Sequence, residues 1–312
     1  MSQKTIKKYE LYSLLNSLTD KYLFVKMNGM ARYTFKDFQD QYPNDNACLD
    51  RVFKARYRGI EWCPKCGAKT KFYRVKKRQS YACMHCGHQL YPLANTIFRK
   101  TTTPLWSWFY AIYLVSVAKN GISAKELERH LNVSYPTAWR MLKQIRTLMT
   151  QDNKMLIGIV EADETYIGGR NKPVDRRFDN KTPVVGVAEK RGKIKAKVMN
   201  SANAYTVLPY LQANIEPTAV LHTDQSKIYY RANQYFKHLS VDHSSGKYAH
   251  NGVSTNNLEG FWSQLKRSIN GTYHWVSPKH LDSYVSEFVF RYNHRFEPVC
   301  PLLLARAVKP VQ

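Results

Sequence analysis

Ile157-Gly158-Ile159-Val160-Glu161-Ala162-Asp163-Glu164-Thr165-Tyr166 is a β-rich run that ends at Gly168-Gly169. Its β-branched and aromatic residues suit a pleated strand, and Asp163 sits within it. From Ile157 onward strand-like runs alternate with helical patterns, which is the texture of an α/β domain.

Two further acids stand in comparable settings. Ala219-Val220-Leu221-His222-Thr223-Asp224 is strand-like and ends on an aspartate. Glu259 lies on a helix predicted over residues 256–268, with Leu258, Phe261, Trp262 and Leu265 as its apolar stripe. Carboxylates on adjacent strands and a facing helix can converge on Mg²⁺, which prefers hard oxygen ligands. Two such ions roughly 3.5–4 Å apart can activate the attacking oxygen and stabilise the leaving one in phosphodiester cleavage. Lys266 follows Glu259 by seven residues. Two helical turns span roughly 7.2 residues, so both side chains fall on nearly one face. There Lys266 could hold a phosphate, or simply be a solvated lysine. A lone aspartate at a strand end is commonly a cap, so only the combination carries weight. Glu161 and Glu164 are alternatives to Asp163, and His222 and His243 could also line a site.

The charge points the same way. Forty-eight Lys and Arg stand against 23 Asp and Glu, a net charge of +25. An excess this large attracts polyanions, with nucleic acid foremost because Lys and Arg neutralise its phosphates. The basic residues are spread along the chain rather than gathered beside one amphipathic or spanning segment, which argues against a membrane. The longest apolar stretch, 105–118, is too short to span a bilayer, and the polar N-terminus does not read as a signal peptide.

Cys63-Pro64-Lys65-Cys66 and Cys83-Met84-His85-Cys86 form two C-x-x-C pairs separated by 16 residues, each followed directly by a glycine, Gly67 and Gly87. Such pairs let four thiolates reach one tetrahedral zinc from tight turns, and the intervening segment has the length of a β-hairpin. Paired cysteines of this kind also point to a reducing cytoplasm. His85 and His88 read as bystanders. The hairpin carries Arg74, Lys76, Lys77 and Arg78, a basic tip that could contact DNA or be solvated surface.

Ser123 and Glu126 read as a capping box opening a helix through Leu127 and Leu131. Asn132-Val133-Ser134 reads as a turn, and a second helix starts near Pro136 with Trp139, Leu142 and Ile145 as its stripe. Thr137, Arg140, Lys143 and Arg146 fall on other faces and could meet DNA as in a helix-turn-helix. Nearer the N-terminus, Tyr42-Pro43-Asn44-Asp45-Asn46 reads as a turn where Asp45 or Asn46 could cap a helix burying Cys48, Leu49, Val52 and Phe53. The chain thus divides into a helical region at 1–58, a zinc ribbon at 59–95, a helical region with the helix-turn-helix at 96–150 and an α/β domain at 155–312. Residues 150–154 serve as the linker.

At this point the sequence resembles the bacterial insertion-sequence transposases that carry an N-terminal zinc ribbon and a DDE catalytic domain of the RNase H-like fold. The resemblance rests on Glu161 to Gly169, on His222-Thr223-Asp224, and on Asn257-Leu258-Glu259-Gly260-Phe261-Trp262 followed by Leu265-Lys266-Arg267. Gly271-Thr272-Tyr273-His274 and Phe290-Arg291-Tyr292-Asn293-His294-Arg295 continue it. It implies that Asp163, Asp224 and Glu259 bind two Mg²⁺ ions and that Lys266 contacts DNA. Asn256 and Asn257 stand close to Glu259 and could supply an oxygen in its place. The implied activity is cutting and joining of double-stranded DNA, element ends to target, by a homo-oligomer. Arg170, Lys172, Arg176 and Arg177, in a predicted loop, would guide the DNA. A nuclease or resolvase without strand transfer, and a non-catalytic regulator, are the alternatives.

Overall fold

The computed structural model describes residues 33–168, 181–241 and 255–310, which divide into two compact units. The first holds the described residues up to Ala118, Leu127–Leu148 and those from Phe296 onward; the second holds Lys119–Glu126 and Met149–Arg295.

In the first unit, α1 (Phe35–Gln41) opens with a capping box between Thr34 and Asp37. Helix α2 (Asp45–Arg56) is capped by Asn44, whose side chain accepts the Ala47 N–H at 3.0 Å. Neither Asp45 nor Asn46 is that cap. Asp45 instead accepts the backbone N–H groups of Leu105 and Trp106, at 3.1 and 2.7 Å, where a later helix begins. Cys48, Leu49 and Val52 are buried as expected, and Phe53 stacks on Tyr81 with ring centroids 3.8 Å apart.

Strands β1 (Phe72–Arg74), β2 (Tyr81–Cys83) and β3 (Gln89–Leu90) form an antiparallel sheet between and beside the cysteine pairs. Gly67 and Gly87 adopt φ of +66° and +69°, and their N–H groups close equivalent turns onto the carbonyls of Cys63 and Cys83. A Cβ would strain both turns.

Helix α3 (Leu105–Val117) is the apolar stretch, and it buries Leu105, Trp108, Phe109, Ile112 and Val115. No described helix is long and apolar enough to cross a membrane. Next come α4 (Ala124–Leu131) and α5 (Tyr135–Arg146), separated by Asn132 in the left-handed region. Ser123 Oγ accepts the Glu126 N–H at 3.1 Å, the predicted start of α4. On α5 the buried stripe is Ala138, Met141, Leu142 and Ile145, whereas Trp139 is half-buried.

The second unit is built on β4 (Ile159–Ile167), β5 (Thr182–Glu189), β6 (Ile194–Val198), α6 (Ala204–Asn214), β7 (Val220–Asp224), β8 (Lys237–Val241), α7 (Asn256–Ser268) and α8 (Pro278–Asn293). Its five strands lie in the order β6-β5-β4-β7-β8. β5 runs antiparallel to both β4 and β6, while β7 and β8 run parallel to β4. Strand alternation sends Val160 and Ala162 to one core with Val207 and Leu211 of α6. Ile167 and Val184 join Leu258, Phe261, Trp262 and Leu265 of α7 and Val285 and Phe288 of α8 in the other. Each large apolar side chain so buried contributes about 1.5–3 kcal/mol, enough to fix α7 on the sheet.

The outer edge of β6 is closed by side chains. Asn293 bonds both the N–H and the carbonyl of Ile194 at 2.8 Å. Gln151 bonds both groups of Ala196, at 3.1 and 2.7 Å, and Asp282 accepts the Val198 N–H at 3.3 Å.

The sequence carries the α/β domain to residue 312, but α9 (Val299–Ala307) belongs to the first unit and packs on α3. Its stripe of Cys300, Leu303, Leu304 and Ala307 is buried there, and Arg306 donates to the Leu148 carbonyl at 2.7 Å. The boundary between Leu148 and Met149 falls just before the predicted linker.

Candidate functional site

The four paired cysteines converge. Their Sγ atoms all lie within 4.8 Å of one another, and this is the only such metal-capable group among the described residues. Cys63 and Cys83 are buried, Cys66 and Cys86 exposed. Burial pushes the Cys83 thiol up, but backbone N–H groups at Cys86 and His85 and the Thr70 hydroxyl outweigh it and hold it down at about 6. At Cys86 the backbone N–H of His88 pulls downward, yet burial and the neighbouring sulfurs push the thiol up to about 11. Four sulfurs this close cannot all ionise without a cation, and soft thiolates in a group of four suit zinc. His85 and His88 are outside the group.

The acids of the second unit are arranged by strand register. β4 pairs with β7 at Ile159–Val220, Val160–Leu221 and Glu161–His222, so two residues further Asp163 comes level with Asp224. Asp163 is largely buried. Burial raises its carboxyl to about 7, the charges of Glu164 and Asp224 add to the rise, and a hydrogen bond from Trp262 opposes it. That bond runs from the indole Nε1 on α7 to Asp163 Oδ2, at 2.9 Å. Asp224 Oδ1 accepts the Ser226 N–H at 3.0 Å, within the turn that follows β7.

Glu164 is also raised, first by burial and then by Asp224, against a 2.6 Å hydrogen bond from the Tyr229 hydroxyl. Tyr229 belongs to the α6-side core, so Glu164 points away from Asp163, as strand alternation requires. A largely buried carboxyl held above its ordinary range beside a second acid, Asp224, forms a site that a hard dication would relieve.

Glu161 is 1% exposed and serves α7. Its carboxylate accepts the Asn257 backbone N–H at 3.0 Å and the Asn257 Nδ2 at 3.1 Å. The Asn257 amide nitrogen is thereby engaged at the helix start. Glu259 is exposed two residues further on, with Oε1 accepting from the Thr255 hydroxyl at 3.2 Å, and Lys266 is exposed two turns along α7. Among the described residues, no three acids here have oxygens all within 4.8 Å of one another. Asp163 and Asp224 are thus brought together, and Glu259 stands apart from them on the helix. His222 is buried, and its imidazole is pushed down by burial and then by Lys190 and His238.

In the first unit Lys76 and Lys77 are exposed in the β1–β2 turn, with Lys77 at a positive φ of 64°. Arg74 is tied back to Asn46 and Asp50. Arg140 lines a cavity of about 420 Å³ together with Arg99, Asn95 and Gln144. Lys143 Nζ lies over the Trp139 ring at 5.3 Å. His243 and the basic run Arg170, Lys172, Arg176 and Arg177 lie outside the described residues.

Sequence reasoning missed three participants: Trp262 as a donor, Tyr229, and Glu161 as the cap of α7. Partners 65 to 99 residues apart leave no local signal. The one available hint was a tryptophan, whose buried N–H asks for an acceptor, in an otherwise aliphatic and aromatic stripe.

Residues 155–293 match the family model of the ISXO2-like transposase domain, and residues 43–89 match that of the transposase zinc-ribbon domain. Over 274 residues, 80% of this chain and 90% of the relative, the sequence is 25% identical to a protein in transposable element ISH50 of Halobacterium salinarum. A transposase-like protein of Haemophilus influenzae is 24% identical over 103 residues, 33% of this chain and 82% of that protein. The chain thus carries a transposase zinc-ribbon domain followed by an ISXO2-like transposase domain.

Proposed function

We propose that this transposase cuts DNA at element ends and joins the exposed 3′ end to target DNA, with Asp163, Asp224 and Glu259 as its acidic triad. The observation that carries the reading is the meeting of Asp163 and Asp224 on adjacent parallel strands beneath α7, the helix that bears Glu259 and Lys266. The strand order, with one antiparallel and one parallel flank around β4, is the order expected of an RNase H-like domain.

Asp163 and Asp224 would hold Mg²⁺, with Glu259 joining from α7. When bound, the two ions supply charge stabilisation for in-line phosphodiester displacement. Lys266, on the same helical face as Glu259, would pair with a phosphate next to the scissile bond. The ribbon with its zinc, and α4 and α5 as a helix-turn-helix, would grip the DNA end through Arg140, Lys143, Lys76 and Lys77. The net charge of +25 gives the phosphate attraction that such binding needs. A homo-oligomer would bring two ends together.

The test is an assay with Mg²⁺ on oligonucleotides from the DNA flanking the gene, comparing wild type with Asp163→Asn, Asp224→Asn and Glu259→Gln. Joined products from wild type alone support the reading. Cleavage without joining indicates a nuclease, and binding with neither product a non-catalytic regulator.

A further inference from the structure

Asp163 is gripped from the helix side by a group with no metal-binding capacity of its own. The Trp262 indole N–H reaches Oδ2 at 2.9 Å, and the ring is 4% exposed. Its seat is the neighbouring strand. Gly186 on β5 is the register partner of Asp163, and a Cβ there would come within 2.6 Å of Trp262 Cζ2 and 2.7 Å of Cη2. Asp163, Gly186 and Trp262 thus form one interlocked set across β4, β5 and α7.

We propose that Trp262 is a positioning residue for this transposase: its indole N–H fixes the Asp163 carboxylate by Oδ2 and leaves Oδ1 to the metal. The proposal rests on Asp163 being a metal ligand, as read above. An indole N–H suits this task because it only donates. It neither titrates nor offers a lone pair, so it orients the carboxylate without competing for the cation, as a histidine or a second acid would. The ring is wedged between Gly186 and the α7-side core, so the donor is held rigid. Partners of this outer kind typically contribute 10–100-fold to metal affinity. A role in packing alone would require the ring but not its N–H.

The experiment separates the two. In the zinc-loaded full chain, Trp262 is replaced by 3-benzothienylalanine, which keeps the ring shape and puts sulfur in place of the N–H. Mn²⁺ binding is read by electron paramagnetic resonance, alongside the metal-free melting temperature. The expected result is a roughly 10–100-fold loss of Mn²⁺ affinity with the melting temperature unchanged. Trp262→Phe should lose affinity similarly, and the Trp262 indole N–H resonance should move in Asp163→Ala. Unchanged Mn²⁺ affinity in the sulfur analogue overturns the proposal. Mn²⁺ binding that survives Asp163→Ala overturns the metal-ligand reading beneath it, so the two failures are told apart.

Discussion

Glu161 accepts two hydrogen bonds from one residue, Asn257, whose backbone N–H and Nδ2 lie 3.0 and 3.1 Å from its carboxylate oxygens. A strand acid next to the proposed triad therefore serves as the anchor of α7, where the helix dipole also favours negative charge. Replacing it by alanine leaves buried donors without an acceptor and should cost about 2–3 kcal/mol in urea denaturation. Glu161→Gln should retain Mn²⁺ binding, and loss of that binding would instead make Glu161 a ligand.

Asp163, held at about 7, links metal binding to pH. Its folded-state value is raised, so the metal-free protein loses stability as pH rises from the ordinary carboxylate range to about 7, and the loss is then complete. A cation competes with that proton. Saturating Mg²⁺ should therefore raise the melting temperature more at pH 8 than at pH 6, and Asp163→Asn should abolish the difference. Equal shifts at both pH values would contradict this.

Gly186 leaves no room for a side chain, since an added Cβ meets the Trp262 ring at 2.6 Å. Overpacking of this kind typically costs about 1–3 kcal/mol. Gly186→Ala should lower the urea midpoint accordingly, without altering zinc content.

The four-cysteine group should hold one zinc per chain, measurable by elemental analysis. Chelation, or Cys66→Ser, should melt the β1–β3 sheet while the second unit keeps its structure, seen by hydrogen exchange. Zinc retention should weaken as pH falls, because protons compete with the cation for the four thiolates.

Arg140 and Lys143 stand on α5, and Arg140 shares its cavity with Arg99. If each contacts one phosphate, alanine at either should weaken DNA binding and flatten the log–log salt slope by about 1. Unchanged slopes would remove α5 from the DNA interface.

What the sequence revealed was mostly local. The spacing of Cys63, Cys66, Cys83 and Cys86 needs only two tight turns, and the structure brings all four sulfurs together. The stripe Leu258, Phe261, Trp262 and Leu265 marked the helix at 256–268 with matching bounds. Distant pairings were hidden. Asp45 or Asn46 could cap the helix on local grounds, but the amides of Leu105 and Trp106, 60 and 61 residues on, claim Asp45. Alternation along β4 separates Glu161 and Asp163 from Glu164, but only the placing of α7 decides which acid anchors the helix and which faces Asp224. The packing of α9 on α3 follows from tertiary fold alone.

Asn293, Gln151 and Asp282 have a consequence for self-association. An outermost strand with bare amides is a template on which another chain can stack, and polymerisation then propagates without limit. Here the amide side chains imitate a neighbouring strand so closely that Ile194 and Ala196 have both backbone groups taken. Sheet continuation across β6 is thereby closed to a second copy, a protection suited to a basic protein concentrated along a polyanion. Excising the second unit after residue 151 would remove Gln151 and reopen that edge at Ala196.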